Sequence, residues 1–481
     1  VSTGRLAAAP SIQQENPMSD PIAAGHCARA LAYAQQNAPR FLEELKTLVR
    51  IPSVSTDPAA VGAMQAAAEW LAAQLRALGM ANVQIMPTAK HPVVYGEYLQ
   101  AGPDRPTALL YGHYDVQPAE PLELWETPPF EPTQRGDYLF GRGASDMKGQ
   151  VVSSLKALES LKATGGLPIN LKVLIEGEEE IGSPSLDAFI AEHTDLLACD
   201  FAINPDTGMM AADIPTITYG LRGLAYFEIR LTGASQDLHS GLYGGAIHNP
   251  AQVLCELIAG MHDAAGRVTL PGFYDAVRPM SDQERAELAR LIVTDEYVIA
   301  QTGVPQLFGE RGYTTMERIG GRPTLEVNGL LSGYTGEGSK TVLPAQAMAK
   351  VSMRLVPDQT PGAVHQQLLR YLEAHVPPTV KWEVVTHAGG KPSITDLNTR
   401  PVKAMAAALE AVWGKRPVYR REGGSVPVTA QMQDLLGIES VLTGFGLPDD
   451  NLHAPNERIH LPTFERGIQA MIHFYCNLAE I

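Results

Sequence analysis

The sequence predicts an α/β protein: a mixed, mostly parallel sheet flanked by helices, into which a smaller ferredoxin-like α+β domain is inserted. Three observations predict it. Short apolar strands alternate with helical stripes over residues 41–204, the order expected of a parallel sheet. From Ala225 the order becomes strand, helix, strand, strand, helix, strand, which suits two βαβ-like halves around an antiparallel sheet. After Gly389-Gly390 the first pattern resumes. The expected units are therefore 18–220 and 391–481 for the larger domain and 221–390 for the insert.

Taken in order, Phe41, Leu42, Leu45, Leu48 and Val49 mark one helical stripe. Trp70, Leu71, Leu75 and Leu78 mark a second, which Gly79 ends as a C-cap. Strands are expected at Asn82–Ile85 and Val93–Leu99, then at Thr107-Ala-Leu-Leu-Tyr-Gly-His113, which delivers His113 and Asp115 at its carboxyl end. Asp146 lies in a glycine-rich loop just before a helix traced by Val151, Leu155, Leu158 and Leu161. Leu171, Val173 and Ile175 alternate as one face of a strand that ends in Glu178, Glu179 and Glu180. Cys199–Asn204 reads as another strand, again followed by an acid, Asp206.

In the insert, strands are expected at Ala225–Leu231, Leu325–Leu330, Ala349–Val356 and Val380–Thr386. Helices are expected from Asn249 to about Ala264 and from Pro361 to His375, with Ala265–Arg322 as a long, partly helical excursion. The last part of the chain supplies a helix over Val402–Trp413, a strand at Glu439–Leu442 and a helix over Thr463–Leu478.

Composition narrows the function. A chain of 481 residues exceeds one ordinary core, and a net charge of -16 argues against nucleic-acid or anionic-membrane partners. Cys27, Cys199, Cys255 and Cys476 are far apart and form no Cys-x-x-Cys, so neither a zinc ribbon nor a disulfide scaffold is indicated. Residues 1–17 lack the basic-then-apolar order of a signal peptide and read as a disordered or vector-derived tail before Met18, which makes the cytoplasm the expected location.

Like-signed carboxylates as close as Glu178–Glu180 raise one another's pKa unless something positive sits among them. If the sheet is parallel, three strand ends and a helix entry bring His113, Asp115, Asp146, the glutamates and Asp206 to one edge. Gly444–Glu457 adds His453 after a further strand. Nitrogen and oxygen donors without thiolate suit zinc, with manganese or cobalt as alternatives, and the number of acids suits two ions about 3.5–4 Å apart. Singly, each residue has a plainer reading: a solvated acidic loop, an N-cap for Asp146, a surface histidine.

Together, the segments Gly112-His-Tyr-Asp115, Gly141-Arg-Gly-Ala-Ser-Asp-Met-Lys-Gly149, Glu179-Glu-Ile-Gly-Ser183, Asp206 and His453 resemble the di-metal metallopeptidase family of aminoacylase-1, carboxypeptidase G, succinyl-diaminopimelate desuccinylase and the carnosinases. Tyr219-Gly-Leu-Arg-Gly223, Asp237-Leu-His-Ser-Gly241 and Arg421-Glu-Gly-Gly-Ser425 look most like the carnosinase and nonspecific dipeptidase branch. The resemblance implies a zinc-exopeptidase-like catalytic domain and an inserted lid and dimerisation domain. It implies that Asp146 bridges two ions, one also held by His113 and Asp206, the other by Glu180 and His453. It leaves Glu179 as the base that deprotonates an activated water and Asp115 as the group that orients His113. It also implies a cis bond at Asp146-Met147. His239 becomes an oxyanion stabiliser supplied by the partner subunit of a homodimer, while Arg354, Thr341, Gly424 and Ser425 hold the substrate's terminal carboxylate.

The expected reaction is hydrolysis of dipeptides, with deacylation of N-acyl amino acids as the alternative. Other classes fit poorly. Gly336-Glu-Gly-Ser-Lys-Thr341 lacks the spacing of a nucleotide-binding loop, and the sequence has neither a Gly-x-Ser-x-Gly elbow nor a His-Glu-x-x-His helix. A catalytically dead scaffold is disfavoured because every expected ligand, and Glu179, is present.

Overall fold

A computed structural model describes residues 21–424 and 427–479 of the chain. The expected tail 1–17 and Ser425 fall outside them. The larger sheet has nine strands, and at its centre Asn170–Glu176, Thr107–His113, Phe201–Asn204 and Ser440–Thr443 lie side by side and parallel. Their carboxyl ends therefore share one edge. Ala81–Met86 and Val93–Tyr98 extend the sheet in antiparallel fashion beyond Asn170–Glu176.

Strand Asn170–Glu176 is buried along its whole length because both faces are covered. Leu171, Val173 and Ile175 pack with helices Pro21–Val49, Val61–Ala77, Gln150–Thr164, Arg400–Trp413 and Leu461–Ala479. Leu174, on the opposite face, meets Leu109, Tyr111 and Ala202 under Leu186–Glu192 and Pro427–Leu436. The alternation read from the sequence thus separates two cores. Gly79 follows helix Val61–Ala77 with φ 72°, a left-handed conformation that a Cβ disfavours.

The smaller sheet is antiparallel, in the order Thr324–Ser332, Gln346–Leu355, Gly223–Thr232, Lys381–Gly390. Helices Pro250–Gly260 and Pro361–His375 bury Val253, Leu257, Leu368 and Leu372 against Phe227, Ile229, Ala349 and Val351. Asn249 and Thr360 cap these helices by accepting the N–H of Ala251 at 2.9 Å and of Ala363 at 3.2 Å. The first helix stops at Gly260 rather than near Ala264. There the Asp263 carboxylate takes the N–H groups of Ala265 and Arg267, at 2.8 and 2.9 Å, and turns the chain.

Several strands went unread in the sequence, and two of them extend the larger sheet at its far side. Thr216–Leu221 runs antiparallel to Ser440–Thr443, and Val418–Glu422 runs parallel to Thr216–Leu221. The excursion after residue 265 contains helices Asp282–Leu288, Asp295–Thr302 and Thr315–Gly321. Part of it docks on this added strand: Leu288 and Leu291 pack on Val418, and Arg421 pairs with Glu284. Among the described residues no helix is long and apolar enough to cross a membrane.

Candidate metal centre and active-site cleft

The parallel strands determine which side chains meet. His113 is the last residue of its strand and is fully buried. Its Nε2 lies 3.3 Å from Asp146 Oδ1 and 3.9 Å from Asp206 Oδ1. On the other side of Asp146, His453 Nε2 lies 3.0 Å from Asp146 Oδ2 and 3.2 Å from Glu180 Oε2. Two donor groups result, His113–Asp146–Asp206 and Asp146–Glu180–His453, each with ligand atoms within 4.8 Å of one another and with Asp146 common to both.

Electrostatics describe a centre short of positive charge. Burial pushes the Glu179 carboxyl up to about 8, with His113 pulling it down and Asp206 and Glu180 pushing it further up. Burial likewise raises Asp206 to about 7, against the pull of His113. Hydrogen bonds to Asp146 and Glu180 lift His453 to about 10. Burial disfavours charge on His113, yet Asp115 and Asp146 overcome it and hold the ring's pKa well above its ordinary value. Cations placed among these groups would relieve the same crowding.

The residues fit a pair of divalent ions on two counts. His113 Nε2 is buried without a hydrogen-bond partner, an orphaned donor position that a metal would satisfy. The donor set is imidazole and carboxylate, suited to zinc, manganese or cobalt. Glu179 belongs to neither donor group, yet it lines a cleft of about 400 Å³ together with Asp146, Asp206 and His453.

Asp115, expected to orient the His113 imidazole, makes its shorter carboxylate contacts with the acidic turn. Its carboxylate accepts the N–H of Glu179 at 3.2 Å and of Glu180 at 3.0 Å, so it fixes the turn carrying both acids. His113 Nδ1 lies closer to the Asp115 backbone carbonyl, 3.1 Å, than to its carboxylate, 3.4 Å. Glu178 turns away from its two neighbours. It accepts the Thr88 hydroxyl and the N–H groups of His91 and Ser185, which ties down the adjoining loops. Only two members of the acidic triplet therefore face the centre.

Glu457 closes the stretch after His453 and had no role assigned from sequence. Buried, it accepts the N–H groups of Gly143, Ser145 and Asp146 at 2.9, 3.1 and 3.0 Å, and the Arg142 guanidinium at 2.8 Å. It thereby fixes the backbone under Asp146 to the loop bearing His453. The Asp146-Met147 bond is cis, as the resemblance implied. Gly444 permits the last close approach, since a Cβ there would lie 1.5 Å from the Thr207 carbonyl oxygen.

The remaining expected residues are spread more widely. Gly424 lines the cleft, whereas His239, Thr341 and Arg354 do not. His239 and Thr341 are neighbours in the smaller domain, where Leu238–His239 pairs with Val342–Leu343 and the Ser240 N–H reaches the Thr341 carbonyl at 3.1 Å. Arg354, at the end of its strand, pairs in register with Thr324 and Leu224. Together with burial it draws the Arg222 guanidinium down to about 10. The cleft wall also holds Arg420, which lies outside every motif read in the sequence, and Glu422, which lies within Arg421-Glu-Gly-Gly-Ser425 but had no role assigned.

The family model for peptidase family M20/M25/M40 matches residues 109–477, which include every member of both donor groups. The chain belongs to that family. It is a metallopeptidase, similar to the Cys-Gly metallodipeptidase DUG1 of Candida albicans, with 31% identity covering 91% of this chain and 95% of that protein. The Beta-Ala-His dipeptidase of Homo sapiens is 30% identical over 93% of this chain and 87% of its own length. Among solved structures, the M20 family metallo-carboxypeptidase Sso-CP2 of Sulfolobus solfataricus superposes with a TM-score of 0.79 at 33% identity, covering 92% of this chain and 99% of that one. The catalytic-plus-lid architecture of the M20 family is thus the architecture of this chain.

Proposed function

We infer that this M20 metallopeptidase is a dipeptidase that uses two divalent cations, with zinc the first choice. The observation that carries the reading is the pair of donor groups sharing Asp146, with Glu179 beside them in the cleft and outside both. Likeness to the Cys-Gly and Beta-Ala-His dipeptidases supports dipeptides as substrates.

In this reading His113, Asp146 and Asp206 hold one ion, and Asp146, Glu180 and His453 hold the other. When bound, the ions supply Lewis acidity towards water and the amide carbonyl. Glu179 takes the proton from the water and returns it to the leaving amine, a role that its place in the cleft outside both donor groups allows. Asp115 keeps Glu179 and Glu180 aimed differently by holding consecutive N–H groups. Gly424 and Ser425 would meet the substrate's carboxylate, with Arg354 as its cationic partner.

We read residues 221–390 as an inserted lid through which two chains pair, leaving 18–220 and 391–481 as the catalytic domain. Support comes from the separate sheet and core of that region and from its edge strand Thr324–Ser332, which exposes Val327, Leu330 and Leu331. His239 and Thr341 stand outside the cleft of their own chain, as they would if they served the other subunit's site. We place the protein in a reducing compartment such as the cytoplasm on the wide spacing of its four cysteines, which form no Cys-x-x-Cys pair.

Hydrolysis of a panel of dipeptides, tripeptides and N-acyl amino acids tests the activity. Unmodified dipeptides are expected to be the best substrates, with activity lost on chelation and restored by zinc, manganese or cobalt. A preference for N-acyl amino acids would reverse the assignment. The subunit arrangement predicts that His239→Ala and Glu179→Ala, each inactive, regain turnover when mixed. One-to-one statistical exchange in a two-fold dimer restores about a quarter of the sites. No recovery after verified exchange would remove His239 from the partner's site.

A further inference from the structure

A dipeptide differs from an N-acyl amino acid by one charged group, the free ammonium, and the cleft must read it. In an α-amino substrate that group is two bonds from the scissile carbonyl carbon, so it falls in the same cleft as Glu179. Among the described residues the acids lining this cleft are Asp146, Glu179, Asp206 and Glu422. The first three are occupied by metal ligation and proton transfer in the reading above. Glu422 is left over.

Its surroundings suit recognition of a cation. The Glu422 side chain is 36% exposed, whereas that of its partner Arg420 is 15% exposed. Arg420 Nη2 holds Glu422 Oε2 at 3.1 Å while donating to the Gly208 carbonyl at 3.1 Å. Arg420 Nε reaches Thr218 Oγ1 at 3.3 Å, and Nη1 reaches Met210 Sδ at 3.7 Å. The guanidinium is therefore anchored by the neighbouring strand and by the loop after Asp206, and it orients the carboxylate through one oxygen. Glu422 is also felt at the metal centre, where it is among the charges raising Asp206.

We propose that Glu422, positioned by Arg420, binds the free ammonium group of the substrate and sets the preference for unmodified dipeptides over N-acyl amino acids. This rests on the dipeptidase reading. An acyl chain brought to the same place would face a partly desolvated carboxylate with no charge to offer it, so the residue selects by repulsion as well as attraction. Asp206 is not a substitute, because its carboxylate is committed to the metal.

The test compares Ala-Ala with its des-amino analogue, N-propionyl-Ala, on metal-loaded wild type, Glu422→Gln and Glu422→Asp, with metal content and thermal unfolding measured for each. Glu422→Gln is expected to lose about 10- to 100-fold in kcat/KM on Ala-Ala, mainly through KM, with N-propionyl-Ala unchanged or improved. Glu422→Asp restores part of the discrimination because it keeps the charge. Equal losses on both substrates, or an unchanged ratio, would overturn the proposal while leaving the dipeptidase reading intact. Failure of the wild type to hydrolyse Ala-Ala would overturn both.

Discussion

Glu179→Ala is expected to retain both metal ions and to lose about 10²–10⁴-fold in kcat, the range contributed by a positioned general base. The expectation follows from placement. Glu179 lines the cleft but belongs to neither donor group, and its backbone N–H is held by Asp115, so truncating the side chain leaves the ligands where they are. Metal analysis of the purified variant, paired with steady-state kinetics on a dipeptide, gives the check. Metal loss equal to that of a ligand variant would refute the division between base and ligands. KM should change little, because the proton moves only in the chemical step.

Asp146→Ala is expected to lose metal and turnover together. Asp146 is the residue shared by the two donor groups, with Oδ1 towards His113 and Oδ2 towards His453. Removing it leaves each remaining pair of donors short of a ligand and takes away the charge that draws both imidazoles inwards. Zinc titration followed by calorimetry should show weakened binding at both positions. Near-normal occupancy of one position would mean that the carboxylate is not shared.

Much of this was legible in the sequence because the parallel strands carry their signal openly. Thr107–His113 ends in the histidine itself with Asp115 two residues on, Asn170–Glu176 leads into Glu178–Glu180, and the fold brings those ends to a single edge. The small antiparallel sheet was legible for a related reason, since its strands alternate: in Gln346–Leu355 every second residue is buried.

What escaped notice was held by side-chain partners rather than by periodicity. Val418–Glu422 has two arginines and a glutamate in five residues and does not look like a strand until Arg420 meets Gly208 and Arg421 meets Glu284. Thr216–Leu221 was hidden by its position, where the order of elements changes from one unit to the next. Glu457 was invisible for a third reason. Its four partners lie more than 300 positions earlier in the chain, and no spacing rule connects them. The acidic triplet was legible only in part, since Glu178 was grouped with its neighbours as a crowding charge without a role, and the turn after it sends it elsewhere.

The reach of Glu457 has a consequence for biosynthesis. The loop that presents Asp146 is made early, yet the carboxylate that immobilises it, and the imidazole of His453, arrive more than 300 residues later. A nascent chain halted before position 457 would display His113, Asp146 and Asp206 without their late-arriving clasp. Hydrolytic power should therefore appear only once residue 457 has been synthesised, because a shorter chain lacks the carboxylate under Asp146.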